Sequence, residues 1–194
     1  MQKFYIHPDN PQKRVLIQAA NLLKNDQLII YPDPSGYRLA VSLDAKQSLA
    51  QALRFGQYEP KFCLICRHIS EISTFAKISD FAHRNLKNTL NKNTHFLLNP
   101  TKSAPKKFVN SSDKNICASL AHTPIVLSLI EALNAPFISM PIYLNGEKVT
   151  YDSTYELEAM MENLVDGFLD AGELQDQPSP VCSIKDSNSS NNRN

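Results

Sequence analysis

Two hydrophobic periods alternate along the chain, short apolar blocks and amphipathic stretches of about three turns. Phe4-Tyr5-Ile6 reads as a short strand. Asn10-Pro11 then supplies an N-cap followed by proline at the first helical position. A helix is expected over 11–24, with Val15, Ala19, Leu22 and Leu23 on one face. Leu28-Ile29-Ile30-Tyr31 is a β-branched, buried type of strand. Pro32-Asp33-Pro34-Ser35-Gly36 reads as loop, because two prolines and a glycine punctuate it. A strand resumes over 37–42, and a helix over 45–55 is stopped by Gly56.

Further strands are expected at 62–66, 95–98, 116–120, 137–140 and 168–169. Helices are expected near 70–76, from a Ser79 or Asp80 cap to about 90, over 125–133 behind Thr123-Pro124, and over 154–164. The last of these turns Glu156, Glu158 and Glu162 to water. Residues 99–115 read as a lysine-rich loop with a short turn of helix. The alternation predicts an α/β domain built on a twisted, mixed sheet. From residue 175 on, Pro, Ser, Asn and Asp dominate, so the domain is expected over 1–175 and a disordered polar tail over 176–194.

Composition narrows the picture. With 194 residues, 42% of them hydrophobic, the chain can bury a core of its own. No apolar run reaches the ~18 residues of a transmembrane helix. The first residues lack the apolar region of a signal peptide, so a cytoplasmic protein with reduced thiols is expected. Only 5 glycines are present, and neither a GxxxxGK[ST] nor a GxGxxG phosphate cradle occurs.

The net charge of +1 hides an uneven distribution: +2 over 1–53, +7 over 54–114 and −8 over 115–194. A central stretch of that sign suits an anionic ligand such as a nucleotide or RNA. The plainer reading puts these lysines on solvated faces, paired with the acidic third. No interleaving of aromatic and basic residues supports a single-strand groove.

Cys63-Leu64-Ile65-Cys66 has CxxC spacing, but the segment reads as a buried strand whose i and i+3 positions face opposite ways. Without a second CxxC it does not complete a tetrahedral metal site, so buried, inert cysteines are expected. Cys117 is read as core packing. His7, His68, His83, His95 and His122 are scattered, and each is read as a surface or capping residue. Tyr31 and Tyr37 could flank a base, though such tyrosines more often pack the sheet with a wet hydroxyl.

Four blocks carry a family resemblance. Tyr31-Pro32-x-x-Ser35-Gly36-Tyr37 resembles the signature loop of the YrdC/YciO family. Residues 4–12 resemble the start of its YciO branch. Phe62-x-Leu64-x-Cys66-Arg67-x-x-Ser70-Glu71-x-Ser73 is similar to that branch's strand and turn. Ile116 to Pro124, with Pro136-Phe137-Ile138-Ser139 after the helix, fits the later strand–helix–strand unit. The blocks keep order and spacing over residues 1 to about 185.

The resemblance implies a YrdC-like fold around a large, positively charged cavity. It implies kinship with threonylcarbamoyl-AMP synthases of tRNA modification, which join ATP (with magnesium), threonine and bicarbonate, and it implies double-stranded RNA as a partner. Carried over position by position, the ligand-binding set is Asp33, Ser35, Tyr37, Arg54, Lys61, Arg67, Ser119 and Ser139. No catalytic residue follows.

The sequence departs from the synthase pattern at several of these positions. The loop threonine becomes Asp33 and the acidic residue after it Pro34. One family cation survives as Arg54, while the arginine two residues on becomes Gly56. A hydroxyl position becomes His95, and an arginine of the later strand becomes Ser119. A carboxylate at Asp33 facing a second anion at ~4 Å would cost ~4 kcal/mol at an effective dielectric near 20. The expectation is therefore a YciO-type protein that binds nucleotide or double-stranded RNA in a degenerate synthase site. An active synthase and a scaffold that keeps only the fold are the alternatives.

Overall fold

The computed structural model describes residues 1–57, 61–88 and 93–174, and the strand at 181–183. In chain order the elements are β1 (Gln2–Tyr5), α1 (Lys13–Lys24), β2 (Ile29–Asp33), β3 (Gly36–Ser42), α2 (Gln47–Gly56), β4 (Cys63–Cys66), α3 (Ile69–Phe75) and α4 (Asp80–Asn88). They continue as β5 (His95–Leu98), a single 3-10 turn at Lys106–Phe108, β6 (Ile116–Leu120), α5 (Pro124–Leu133), β7 (Phe137–Met140), β8 (Tyr143–Leu144), β9 (Glu147–Lys148), α6 (Thr154–Met161), β10 (Gly167–Asp170) and β11 (Val181–Ser183).

Nine strands form one mixed sheet in the order β1-β10-β2-β3-β7-β4-β6-β5-β11, and β8 and β9 form a separate hairpin. The expected α/β domain on a mixed sheet is what the chain folds into. Helices cover both faces. On one, α1 and α5 pack on Ile29, Tyr31, Ala40, Cys63, Ile65 and Phe137. On the other, Leu49, Ala52, Ile72, Leu86, Leu157 and Met161 pack from α2, α3, α4 and α6 onto Ile30, Leu39, Leu64, Phe96 and Ile138. Among the described residues no helix is long and apolar enough to cross a membrane.

Several local expectations need correction. Helix α1 starts at Lys13, with Gln12 in the cap position, rather than behind Asn10. The His7 ring accepts hydrogen bonds from the Asp9 and Asn10 amides, which makes residues 7–10 a turn of their own. Strand β2 runs on through Pro32 and Asp33, which were expected in a loop. The neighbouring β10 pairs only with Ile29 and Ile30, so proline sits where no ladder partner needs its N–H. The turn shrinks to Pro34-Ser35, closed by Gly36 at φ 95°.

Gly56 stays helical, and Gln57 makes the left-handed stop. A Cβ on Gly56 would meet the Tyr143 carbonyl at 3.4 Å, an ordinary contact, and the Gly146 amide donates to the Gly56 carbonyl. The β8–β9 hairpin thus rests on the end of α2. Glu158 does not face water alone, since it pairs with Lys3, which also reaches Asp170. These are the ion pairs among the described residues, and neither ties the central basic stretch to the acidic third. Within the segment read as a disordered tail, β11 pairs in parallel with β5. The rest of that tail, and the expected helix end at residues 89–90, lie outside the described residues.

Candidate functional site

Register decides which side chains share the face under α1 and α5. Tyr31 stands opposite Arg38, Ala40 opposite Ser139, Ser139 opposite Cys63, and Leu97 opposite Cys117. Side chains alternate along each strand, so Asp33, Arg38, Ser139, Cys63, Cys117 and His95 all project from this one face. The helices cover only its apolar part, and the polar row continues beyond them into two clefts.

The first cleft, about 630 Å³, is lined by Ser35, Tyr37, Tyr143, Lys148, Tyr151 and apolar groups such as Ile142 and Val149. The second, about 430 Å³, is lined by Lys61, Lys107, Asn110, Ser112 and Asp113, with Cys63 and Cys117 in its wall. Arg38, His95 and Pro141 line both, so they form the partition.

Arg38 is held rather than free to swing. Its Nε donates to Ser139 Oγ at 2.7 Å, and that hydroxyl also takes the Tyr31 phenol proton at 2.7 Å. The terminal guanidinium nitrogens make no further hydrogen bond among the described residues. Asp33 ends β2 with its carboxylate accepting from the Ser35 amide and hydroxyl and from Asn93, which closes the turn as an Asx motif. Tyr37 packs edge-on against Phe168. Its hydroxyl accepts from the Ala171 amide and donates to the Gly172 carbonyl, so this tyrosine ties β3 to the segment after β10. Neither tyrosine hydroxyl is wet, contrary to expectation. Burial, together with the Asp33 charge at Tyr31, pushes the Tyr31 phenol up, and burial does the same at Tyr37.

His95 is half-buried. Burial first, and the Arg38 charge second, push its imidazole down to about 4, so the ring is neutral at neutral pH. Cys63 Sγ lies 3.0 Å from Cys117 Sγ, and burial with that contact pushes the Cys63 thiol well up. Cys63 and Cys66 do face opposite cores. Cys117 is not plain core, because it opens on the second cleft. Likewise His95 is a cleft residue rather than a surface or capping one.

Of the expected ligand set, Ser35, Tyr37 and Lys61 line the clefts. Asp33 and Ser139 are buried on the same sheet face as Arg38, and Ser139 accepts from the Arg38 Nε. Ser119 is on the same face but closed off, its hydroxyl donated to the Thr94 carbonyl. Arg54 and Arg67 are exposed and line neither cleft, so these cations do not converge with Lys61. Arg38, Lys107 and Lys148 are residues the motifs did not point to, and His95 is reached only as a departure from a family hydroxyl position. Signals were present: His95 is the polar residue that opens the otherwise apolar β5, and Arg38 is a charged residue inside β3.

An α/β domain with a paired cleft beside a helix-covered core is the class this chain defines. The chain belongs to the Sua5/YciO/YrdC family, whose model, described as telomere recombination, matches residues 21–193. It is 34% identical to YciO of Escherichia coli K12 over 187 residues, 95% of this chain and 91% of that protein. The crystal structure of E. coli YciO superimposes with a TM-score of 0.86, covering 96% of this chain and 91% of the other. Sua5 of P. abyssi complexed with L-threonine shares the fold at 14% identity and TM-score 0.83, over 97% of this chain and 56% of the other. HypF in its phosphate- and nucleotide-bound form does so at 20% identity and TM-score 0.73, over 87% and 27%.

Proposed function

We propose that this YciO-like protein binds a nucleoside phosphate across its two clefts without synthesising threonylcarbamoyl-AMP. The observation that carries the reading is Arg38, fixed by Ser139 in the partition, with its terminal N–H groups unspent among the described residues. A planar, preorganised guanidinium is suited to phosphate oxygens. The first cleft, with Tyr143, Tyr151, Ile142 and Val149, suits a base and ribose. The second, with Lys61 and with Lys107, whose ammonium also donates to the Ala45 carbonyl, against one carboxylate, Asp113, suits the phosphates. HypF was solved with phosphate and nucleotide bound in a protein of this fold, which is consistent with the reading.

What speaks against the full synthase reaction is the cation inventory. The positions carried over as arginine are Gly56 and Ser119, and the surviving Arg54 stands on the exposed face of α2. Asp33 adds a buried carboxylate on the same sheet face as Arg38. A second reading, double-stranded RNA, draws on the central stretch of +7, which no described ion pair offsets. Its signature is affinity that falls steeply with salt.

The test is an ATP titration of the purified chain, with and without threonine and bicarbonate, reading binding and pyrophosphate release. Saturable ATP binding without threonine-dependent pyrophosphate is the expected result. Threonine-dependent release would replace this reading with the synthase, and no binding at millimolar ATP would leave RNA or a scaffold role.

A further inference from the structure

Three strands bring three metal-type donors to one point of the second cleft. Cys63 opens β4, Cys117 lies beside it on β6, and His95 opens β5. Their ligand atoms all lie within 4.8 Å of one another. All three line the same cleft, so an ion has a path in.

We propose that Cys63, Cys117 and His95 form a binding site for a thiophilic divalent cation of the zinc class. The inference does not depend on the nucleotide reading. Two thiolates and one imidazole, with a fourth position left for solvent or another donor, is a donor set that zinc accepts. Bonds of about 2.3 Å to sulfur and about 2.0 Å to nitrogen set tetrahedral donors roughly 3.5–3.8 Å apart. The two sulfurs at 3.0 Å need only spread by about 0.8 Å, and the imidazole need only close in by about 1.3 Å at most.

Charge fits as well. A dication with two thiolates is neutral, and a neutral cluster can occupy a wall from which isolated charges are driven out. Coordination deprotonates a thiol outright, so the raised Cys63 thiol does not prevent binding. The nearby Arg38 opposes the cation but favours the thiolates, and Asp33 acts in the opposite sense on both. The His95 imidazole makes no hydrogen bond among the described residues, so a ligating nitrogen costs it no existing partner. Cys66, three residues from Cys63, faces the other core and is excluded from the site.

The site is tested with cobalt(II) as a spectroscopic stand-in, titrated into the reduced full-length chain and then displaced by zinc. One equivalent should give thiolate-to-cobalt charge-transfer absorption and the intense visible bands of a tetrahedral ion. Zinc should abolish both and raise the melting temperature. Cys117→Ser should lose the tetrahedral spectrum and weaken zinc at least tenfold, whereas Cys182→Ser, changed in the neighbouring strand, should keep it. Failure of the wild-type chain to take up cobalt at micromolar concentration would overturn the proposal. So would a six-coordinate spectrum, a spectrum that survives Cys117→Ser, or one lost in Cys182→Ser. The wild-type spectrum decides even if a variant does not fold.

Discussion

The face of the sheet beneath α1 and α5 and the same face beyond them are made by the same strands, yet they behave as different materials. Moving two residues along β2 goes from Tyr31, wholly enclosed, to Asp33 at the turn. Moving two residues along β3 goes from Ala40 under the helices to Arg38 between the clefts. Strand periodicity puts each pair on one face, and only helix coverage separates core from site. Ser139 stands on the boundary, with its hydroxyl joining the core phenol of Tyr31 to the cleft guanidinium of Arg38.

The sharpest way to break the comparison is to damage each half separately. Phe137 is fully enclosed and meets the Tyr31 ring edge-on at 5.2 Å. Phe137→Ala should cost about 3–5 kcal/mol of unfolding free energy, read by urea titration. In the surviving folded fraction, ATP affinity should barely change. Arg38→Met should do the reverse. A charged hydrogen bond to a ligand is worth about 1.5–3 kcal/mol, so ATP binding measured by calorimetry should weaken roughly ten- to hundredfold, with the urea midpoint little moved. A stability loss at Arg38 as large as that at Phe137 would show that the open half is structural after all.

Ser139→Ala tests the boundary itself. The Tyr31 hydroxyl, fully buried, would lose its acceptor, at about 1–3 kcal/mol. Arg38 would lose its brace, so both stability and ATP affinity should fall together. An effect on only one of them would show that the two halves are not joined through this hydroxyl.

Most strands were legible because their apolar blocks are short and bounded by turn residues. Strands β5, β6 and β7 fall where the pattern places them. The Thr123 cap of α5 was legible for a local reason too, since its side chain accepts from the Val126 amide three residues on. What escaped was everything set by partners distant in sequence. Pro32 could join β2 only because β10 stops short of it, and the end of α2 is fixed by a hairpin some ninety residues later whose Gly146 amide donates to the Gly56 carbonyl. The site suffered most. Motif matching pointed to Arg54 and Arg67 by their spacing along the chain, whereas Arg38, His95 and Cys117 meet only through strand order. No local pattern tells that β3 and β5 are brought to one cleft.

Asp26, in the turn between α1 and β2, offers the smallest and cleanest test. Its carboxylate crosses the gap to α2 and accepts from the Lys46, Gln47 and Ser48 amides and the Ser48 hydroxyl. It caps a helix that supplies no cap of its own. Burial alone would raise its pKa, but the Ser48 hydroxyl and the Gln47, Lys46 and Ser48 amides outweigh burial and hold it below the usual aspartate value. A depressed carboxylate stabilises the fold above its unfolded pKa of ~3.9, and that share is lost as pH falls through the lower folded value. Asp26→Ala should therefore cost about 1 kcal/mol near neutral pH, and the gap from wild type should narrow once pH drops below about 4. Since α2 carries the β8–β9 hairpin, which contributes Tyr143 and Lys148 to the first cleft, urea midpoints and ATP affinity should be followed together. Unchanged affinity with reduced stability would show that the cleft wall keeps its place without the cap. A matching loss of affinity would make the helix-borne hairpin, and not only the strand row, a determinant of the site.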